Sequence, residues 1–419
     1  MLLGFALAAC SLQADVYDAN RRNTPEQLDK PYLVLVSVDG MRWDFAELCD
    51  TPAIDRLAKR GLKAEALQPV FPTLTFPNHF SIATGLQPKH HGIVANDFPG
   101  EGGRQWYHYK DRPTVQNGEW YLADPIWVTA EKQGMLSAAF YFVGTEADID
   151  GIRPTHWRAF DAEVSGETRV DQVLSWLAEP AVTRPHVITL YFEDVDDHTH
   201  WSGPGSTESI DAIRRVDGYL ERLLDGLDQL PHGGEVYVLL VSDHGMASYN
   251  PESEPLVLDQ VVDLSGTRVV EGGPYAFIHF EQDTAGRAER MRDAINAHWS
   301  CGQALLPSDA PAAWNVSDSP RFPDLMVLAD AGCAVISTSA MKHKIQPGDH
   351  GWPPELVDMR GVFYAMGPRI PAASRTGMVH VTDIYPLMLA ILGLSASGPI
   401  DGDETYLPSL LLPTERNIK

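Results

Sequence analysis

Between Tyr32 and Val38 the chain runs almost without a polar interruption, and a strand of that composition belongs in a parallel sheet covered on both faces. Comparable apolar runs at 186–192, 235–241, 324–328 and 361–366 predict further strands. Between them the period changes. Thr51-Pro52 opens a helical pattern through Ile54, Leu57 and Ala58 that Gly61 stops, and residues 209–230 and 284–299 carry apolar positions every three to four residues. Near the end, Thr382 is placed to cap a helix over 386–392, with Gly393 to stop it. Such alternation predicts an α/β sandwich with a mostly parallel central sheet and helices on both faces. Residues 96–121 and 308–321 lack periodicity and read as edge insertions. Residues 15–30 are polar and aperiodic and read as a tether ahead of one domain spanning 31–415.

At 419 residues, 44% hydrophobic and 21% charged, the chain has room for one large α/β domain. Its 32 Lys and Arg against 57 Asp and Glu leave a net charge of −25. That field repels polyanions and excludes a nucleic-acid polymer groove, so an anionic small molecule must be drawn in locally, by metal. No run reaches the roughly 20 apolar residues of a membrane span; 387–392 reads as a buried helix. The first residues are apolar, and Leu7-Ala8-Ala9-Cys10 resembles a bacterial lipoprotein signal in which Cys10 is lipidated and becomes the first residue. The basic region expected before it is missing, which implies a start upstream, and a secretory cut near Ala14 is the alternative. Either way residues 1–14 form a signal segment and the protein is exported, to the periplasm and membrane-attached if lipid is added. In that oxidising compartment one disulfide is allowed, and Cys301–Cys333 is the pair chosen by elimination, leaving Cys49. No cysteine lies near the Asp/His clusters, so thiolate ligation of a metal is not expected. No obligate protein partner is evident.

Those clusters carry the chemistry. Asp243-His244-Gly245 and Asp349-His350-Gly351 sit about a hundred residues apart, with Asp39 after the first apolar run and Asp196-Asp197-His198-Thr199-His200 after another. Charged donors at the tip of a buried strand suit a metal site, and open α/β sheets place their sites at the carboxyl edge. Asp39, Asp243 and His244 could make one donor set; Asp196, His200 and His350 could make the other. Any one of them alone is more often a capping Asp or a surface His, but recurrence of adjacent Asp-His pairs reverses that balance. Asp197 and His198 could replace a ligand, whereas His90, His91, His186 and His343 are expected at the surface or behind the ligands. A nucleophile is sought in Thr73-Leu74-Thr75-Phe76-Pro77-Asn78-His79, which precedes a helix-like run ending at Gly85. A Thr at a helix N-terminus meets a positive potential and free N–H groups, which stabilise an alkoxide and a phosphoryl oxygen. A plain N-cap without chemistry is the competing assignment for this segment.

Taken together, Asp39, Thr75 to His79, Asn96 in His91-Gly92-Ile93-Val94-Ala95-Asn96, Asp196 to His200, Asp243-His244-Gly245 and Asp349-His350-Gly351 resemble the nucleotide pyrophosphatase/phosphodiesterase family of the alkaline phosphatase superfamily, over roughly residues 30 to 415. The resemblance implies an alkaline-phosphatase-like sandwich and two Zn2+ ions per chain. In the family's pattern one zinc is held by Asp196, His200 and His350, and the other by Asp39, Asp243, His244 and the Thr75 oxygen. Thr75 is then the nucleophile, Asn96 binds a phosphoryl oxygen, and Phe76 and Tyr191 grip a nucleobase. Val195 and Thr199 depart from the Pro and Gly common beside these ligands in relatives. The implied activity is hydrolysis of nucleotide phosphodiester or pyrophosphate bonds to nucleoside 5′-monophosphates, through a phosphothreonine. Three Asp ligands and a Thr alkoxide balance two divalent ions, so a singly charged diester arrives at a neutral site, and no Arg stands beside Thr75 to receive a monoester dianion. Rival readings are an alkaline phosphomonoesterase or phosphonate hydrolase, a choline-phosphodiester phosphodiesterase, and a nucleotide- or lipid-headgroup-binding protein without turnover. A sulfatase is the least favoured of these readings, because the Cys or Ser needed for its modified nucleophile is absent at position 75.

Overall fold

Along the strand Tyr32–Val38, Leu33 and Leu35 face one helical layer while Val34 and Val36 face the other, so both sides of the strand are core. The computed structural model describes residues 16–17, 20–282, 285–317 and 319–413; the signal segment, with Cys10 and Ala14, lies outside them. In chain order the first half of the frame is β1 (Val16–Tyr17), β2 (Tyr32–Val38), α1 (Pro52–Arg60), β3 (Leu62–Ala64), α2 (Thr75–Thr84), α3 (Ile126–Lys132), β4 (Ser137–Phe140), β5 (His156–Trp157), α4 (Gly166–Leu177) and β6 (Val187–Phe192). The second half is α5 (Asp194–Ser202), α6 (Thr207–Gln229), β7 (Val236–Val241), β8 (Thr267–Glu271), β9 (Tyr275–Phe280), α7 (Arg287–His298), β10 (Gly302–Leu305), β11 (Leu325–Ala329), β12 (Phe363–Met366), β13 (Ser374–Thr376) and α8 (Ile384–Leu392).

A nine-stranded sheet runs β1-β5-β4-β6-β2-β7-β12-β3-β13, and only β1 and β12 oppose the other strands among the described residues. Helices α2, α3 and α8 cover one face through Phe80, Trp127 and Leu387. The other is covered by α1, α4 and α6 through Leu57, Val173 and Leu220. Each such side chain, removed from water, contributes about 1.5–3 kcal/mol before entropy is subtracted. The mostly parallel α/β sandwich expected from the pattern is therefore the fold. At its centre β6, β2 and β7 are parallel and in register, with Val38 opposite Phe192 and Ser37 opposite Val241, so their carboxyl ends open at one place.

The pattern misplaces several pieces. The run at 324–328 becomes β11, which lies in a separate antiparallel sheet ordered β8-β9-β11-β10 with α7 packed on it. Leu325 and Val327 face α7 while Met326 and Leu328 face the main core, so the run is apolar because both faces are covered. β12 is likewise buried on both faces yet antiparallel. An apolar run reports cover, not sheet or direction. Residues 20–30 are not a free tether. The Asn23 amide donates to the Ala181 and Arg184 carbonyls and accepts from Leu136 N–H, each at 2.8 Å, and Gln27 donates to the Gln133 carbonyl at 2.8 Å. This docking is polar, which is why it left no hydrophobic period. The helix expected from 284 starts at Arg287, with Thr284 outside the described residues, and α8 starts at Ile384 after a 3-10 turn that contains Thr382. His91 and His186 are buried rather than at the surface. Cys301 and Cys333 form the disulfide, with Cα atoms 6.1 Å apart, and Cys49 is free. No helix among the described residues is long and apolar enough to cross a membrane.

Candidate active site

Each of the three central strands delivers a carboxylate beyond its tip. Asp39 follows β2, and its backbone N–H is fixed by the Phe192 carbonyl at 2.9 Å. Asp243 follows β7, and Asp196 stands in the first turn of α5, the helix that β6 feeds. Gly40 makes this convergence possible: it has φ +66°, and a Cβ there would lie 2.9 Å from Asp196 Oδ1. The strand tips thus bring together the residues the sequence scattered.

His244, His200 and His350 are oriented by one device. The Nδ1–H of each donates to a carbonyl, Gly245 at 3.1 Å, Gly348 at 2.9 Å and Thr73 at 2.9 Å respectively, so each Nε2 presents a lone pair to the carboxylates. His244 Nε2 lies 3.0 Å from Asp243 Oδ2 and 3.5 Å from Asp39 Oδ1; His200 Nε2 lies 3.4 Å and His350 Nε2 3.8 Å from oxygens of Asp196. The rings of His244 and His350 stack at 3.7 Å, so the two donor sets are contiguous. Donor atoms of Asp196, His200 and His350 fall within 4.8 Å of one another, as do those of Asp39, Asp196 and His244.

These residues fit a pair of divalent cations. Asp39 Oδ1, Asp196 Oδ1 and Asp243 Oδ2 are buried and accept no hydrogen bond. Burial and the carboxylates of Asp243 and Asp196 push Asp39 well above the usual carboxylate range, and burial raises Asp196 although His200 and His244 oppose it. Burial also acts to raise Asp243, but the imidazoles of His244 and His79 outweigh it and hold Asp243 low. Burial lowers His350, with His244 and His200 adding to the effect. Buried acids without enough buried positive charge are what a metal neutralises, and an all N/O donor set suits zinc.

Thr75 is the first residue of α2, with Leu74 rather than Thr75 at the N-cap, so it is not a capping residue. Its Oγ1 lies 3.4 Å from His244 Nε2. Thr73 is fully buried, donates to the Trp352 carbonyl at 2.6 Å and accepts from Gly351 N–H at 3.0 Å, and so is committed to structure. Asn96 accepts the Phe76 N–H at 3.1 Å through Oδ1, which turns its NH2 group to other partners; Asn96 and Phe76 both line the cleft above the cluster.

Some functional residues escaped the sequence reading. His79, one turn after Thr75, is fully buried with Nε2 2.8 Å from Ser37 Oγ and Nδ1 2.9 Å from the Thr75 carbonyl and 3.2 Å from Asp243 Oδ2. Its nitrogens are engaged by Ser37 and the Thr75 carbonyl, although Asp39, His79 and Asp243 also bring donor atoms within 4.8 Å of one another; its place in the Thr75 to His79 motif was the available signal. Tyr191 does line the cleft, but its hydroxyl donates to Asp39 Oδ2 at 2.6 Å and its ring lies 6.1 Å from Phe160. Phe160, 38% exposed in the cleft, is the freer aromatic and stands in a stretch with no pattern to mark it. Tyr249 donates to Asp349 at 2.8 Å, and burial pushes the Asp349 carboxyl up to about 6. His198 turns back to the Asp194 carbonyl at 2.8 Å, His90 to Asp401 at 2.7 Å, and His343 is exposed on the cleft rim.

Fold and site together define an alkaline-phosphatase-like α/β protein with a threonine beside a bipartite Asp/His cluster. The sequence profile of the type I phosphodiesterase/nucleotide pyrophosphatase family matches residues 33–353, and the chain belongs to that family. It is 30% identical over 403 residues to human ectonucleotide pyrophosphatase/phosphodiesterase family member 1, covering 94% of this chain and 43% of that protein. It is also 30% identical over 377 residues to the bis(5′-adenosyl)-triphosphatase of Bos taurus, covering 89% of this chain and 80% of that one. The chain thus spans less than half the length of the human relative. Among solved structures, murine ectonucleotide pyrophosphatase/phosphodiesterase 5 superposes with a TM-score of 0.85 at 27% identity, over 91% of this chain and all of that one. An inactive threonine-to-alanine variant of the murine protein in complex with AMP matches equally well.

Proposed function

We propose that this protein is an exported two-zinc nucleotide pyrophosphatase/phosphodiesterase that releases nucleoside 5′-monophosphates. The observation that carries the reading is Thr75 Oγ1 at the start of α2, 3.4 Å from His244 Nε2, which itself lies 3.0 Å from Asp243 Oδ2 and 3.5 Å from Asp39 Oδ1, both buried oxygens that accept no hydrogen bond. Asp196, His200 and His350 would hold one zinc, and Asp39, Asp243, His244 and the Thr75 oxygen the other. Bound there, the metals supply Lewis acidity at the attacking and departing oxygens and bring the pKa of a water to about 7. The chain's residues do the rest. Thr75 gives up its hydroxyl proton to solvent and forms a bond to phosphorus while the bond to the leaving oxygen breaks, and that oxygen departs with its electron pair and takes a proton from solvent. The Thr75 N–H at the start of α2 and the NH2 of Asn96 would receive the phosphoryl oxygens, the Phe76 N–H being held by Asn96 Oδ1. Water then cleaves the phosphothreonine, releasing the monophosphate and restoring the Thr75 hydroxyl. Phe76 and Phe160 take the base, with Tyr191 steadying Asp39. The murine relative's complex with AMP and the bovine relative's name support a nucleotide substrate. The charge balance of the cluster favours diesters over monoesters. The Cys301–Cys333 disulfide supports export, and mass spectrometry of the native protein tests lipid at Cys10.

Thr75→Ala is the decisive variant. It leaves three protein ligands for each metal, so both zinc ions stay by elemental analysis while turnover falls by several orders of magnitude. Wild-type enzyme quenched in acid during turnover carries a phosphoryl or nucleotidyl adduct on the Thr75 peptide. An adduct on Thr73, or near-full activity of Thr75→Ala, would refute the assignment.

A further inference from the structure

Phe160 stands on an irregular segment between β5 and α4, yet its backbone is gripped by side chains from distant parts of the chain. Its N–H donates to Glu146 Oε1 at 2.8 Å, and its carbonyl accepts from Arg112 Nη2 at 2.8 Å. Arg112 Nη1 closes the ring by donating to Glu146 Oε2 at 3.1 Å, where Gln116 Nε2 also donates at 3.0 Å. One residue is thus held at both its N–H and its C=O by the two members of a single ion pair. The next carbonyl, that of Asp161, accepts from the Tyr141 hydroxyl at 3.2 Å. The Phe160 ring meets Tyr141 edge-on at 5.0 Å and Tyr191 at 6.1 Å. Arg112, Tyr141, Glu146, Phe160 and Tyr191 all line the active-site cleft. Solvent reaches the clamp, since the Arg112 side chain is 48% exposed. Water satisfies exposed backbone groups as well as a side chain does, and a pair at the surface adds little stability. What the arrangement supplies is position: it ties the insertion that carries Asn96, through Arg112, and the turn after β4, through Glu146, to the one aromatic side chain that projects into the cleft from a segment without regular structure.

We propose that Arg112 and Glu146 are positioning residues that clamp Phe160 by its backbone, so that its ring is in place before substrate arrives and the enzyme favours nucleoside-bearing diesters over small ones. This rests on the hydrolytic reading above, with Phe160 against the base, and adds the device that sets the strength of that contact. A ring that must be ordered at the moment of binding subtracts from affinity, and a ring already ordered does not.

The test uses two diesters with one leaving group, the p-nitrophenyl ester of thymidine 5′-monophosphate and methyl p-nitrophenyl phosphate, which differ in the nucleoside alone. In Arg112→Met the ratio of the nucleoside-ester KM to the methyl-ester KM should rise about threefold, the cost of ordering one side chain on binding. Arg112→Glu/Glu146→Arg restores an ion pair but turns an acceptor toward the Phe160 carbonyl and a donor toward its N–H. The ratio should therefore stay raised in that variant, and its return to the wild-type value would overturn the clamp. In a Phe160→Ala background, Arg112→Met should leave the ratio where Phe160→Ala alone puts it; a further rise would show that Arg112 meets the substrate itself and would overturn the clamp as well. A readout without turnover is the AMP affinity of zinc-loaded Thr75→Ala by calorimetry, which should fall about threefold when Arg112→Met is added. An unchanged ratio in Arg112→Met, equal KM changes on both esters, or an undiminished AMP affinity would refute the clamp while leaving the hydrolase reading intact. Wild-type protein that cleaves neither ester would overturn both.

Discussion

Removing the guanidinium of Arg169 should show how the second donor set is held. Arg169 is 2% exposed and forms a two-toothed pair with Glu193, both contacts at 2.6 Å; it also donates to the Tyr191 carbonyl at 2.8 Å and the Val164 carbonyl at 3.0 Å. Glu193 is the N-cap residue of α5, so this pair pins the turn between β6 and the helix that carries Asp196 and His200. In Arg169→Met a carboxylate whose side chain is only 14% exposed loses its partner, and breaking a pair of this kind costs about 3–5 kcal/mol. Arg169→Met/Glu193→Gln removes the stranded charge and should recover about half of that loss, so the coupling in a double-mutant cycle should be about 2 kcal/mol plus whatever Glu193→Gln costs alone. Urea unfolding of chelator-treated protein measures both, free of any metal contribution. Competition with a zinc-binding dye should then show one of two sites weakened about tenfold in Arg169→Met, because Asp196 and His200 lose their fixed mount. Additive single-variant effects, or a cost below 1 kcal/mol for Arg169→Met, would show that the turn is held by packing and not by this pair.

Chelation should abolish turnover and zinc should restore it, with close to two zinc ions per chain by elemental analysis; full activity of a metal-free sample contradicts the mechanism. Phe160→Ala should raise KM for nucleotide diesters about tenfold while small alkyl diesters change little, whereas Tyr191→Phe, which keeps the ring and loses the bond to Asp39, should act on both alike. His91 is fully buried, accepts the Ile93 N–H at 3.2 Å, and is lowered by burial from 6.5 to about 3. Its folded pKa lies below the unfolded one, so the unfolded state binds the extra proton and stability falls as pH drops from 6.5 toward 3. At pH 5 this amounts to about 2 kcal/mol, and His91→Gln should flatten that part of the stability curve in urea titrations.

The parts of this molecule legible from sequence are those with a local cause. Unbroken apolar runs marked β2, β6 and β7 because both faces of each are buried, and the Asp-His pairs were visible because donors cluster just past strand ends. Separation in space had no local cause. Nothing in Leu325 to Ala329 distinguishes a strand of the main sheet from one in the smaller antiparallel sheet. Asn23 docks through amide hydrogen bonds, and polar docking has no period to detect. Tyr191 was legible as an aromatic near the site, but the direction of its hydroxyl is set by the β2–β6 register, which pairs Ser37 with Tyr191. Phe160 depends on backbone bonds to Glu146 and Arg112 from distant segments.

The donors span the chain from Asp39 to His350, and neither donor set can be completed by the first half of the polypeptide. As the chain emerges, Asp39 and Asp196 can be in place long before His350, which needs the Thr73 carbonyl to orient it, is available. A partly made molecule therefore offers at most carboxylates and lone imidazoles, weak traps for a scarce ion. Tight capture of a metal would wait for a finished fold, so on the proposed function metal loading would act as a checkpoint on assembly, and occupancy would report that both halves of the chain have folded together.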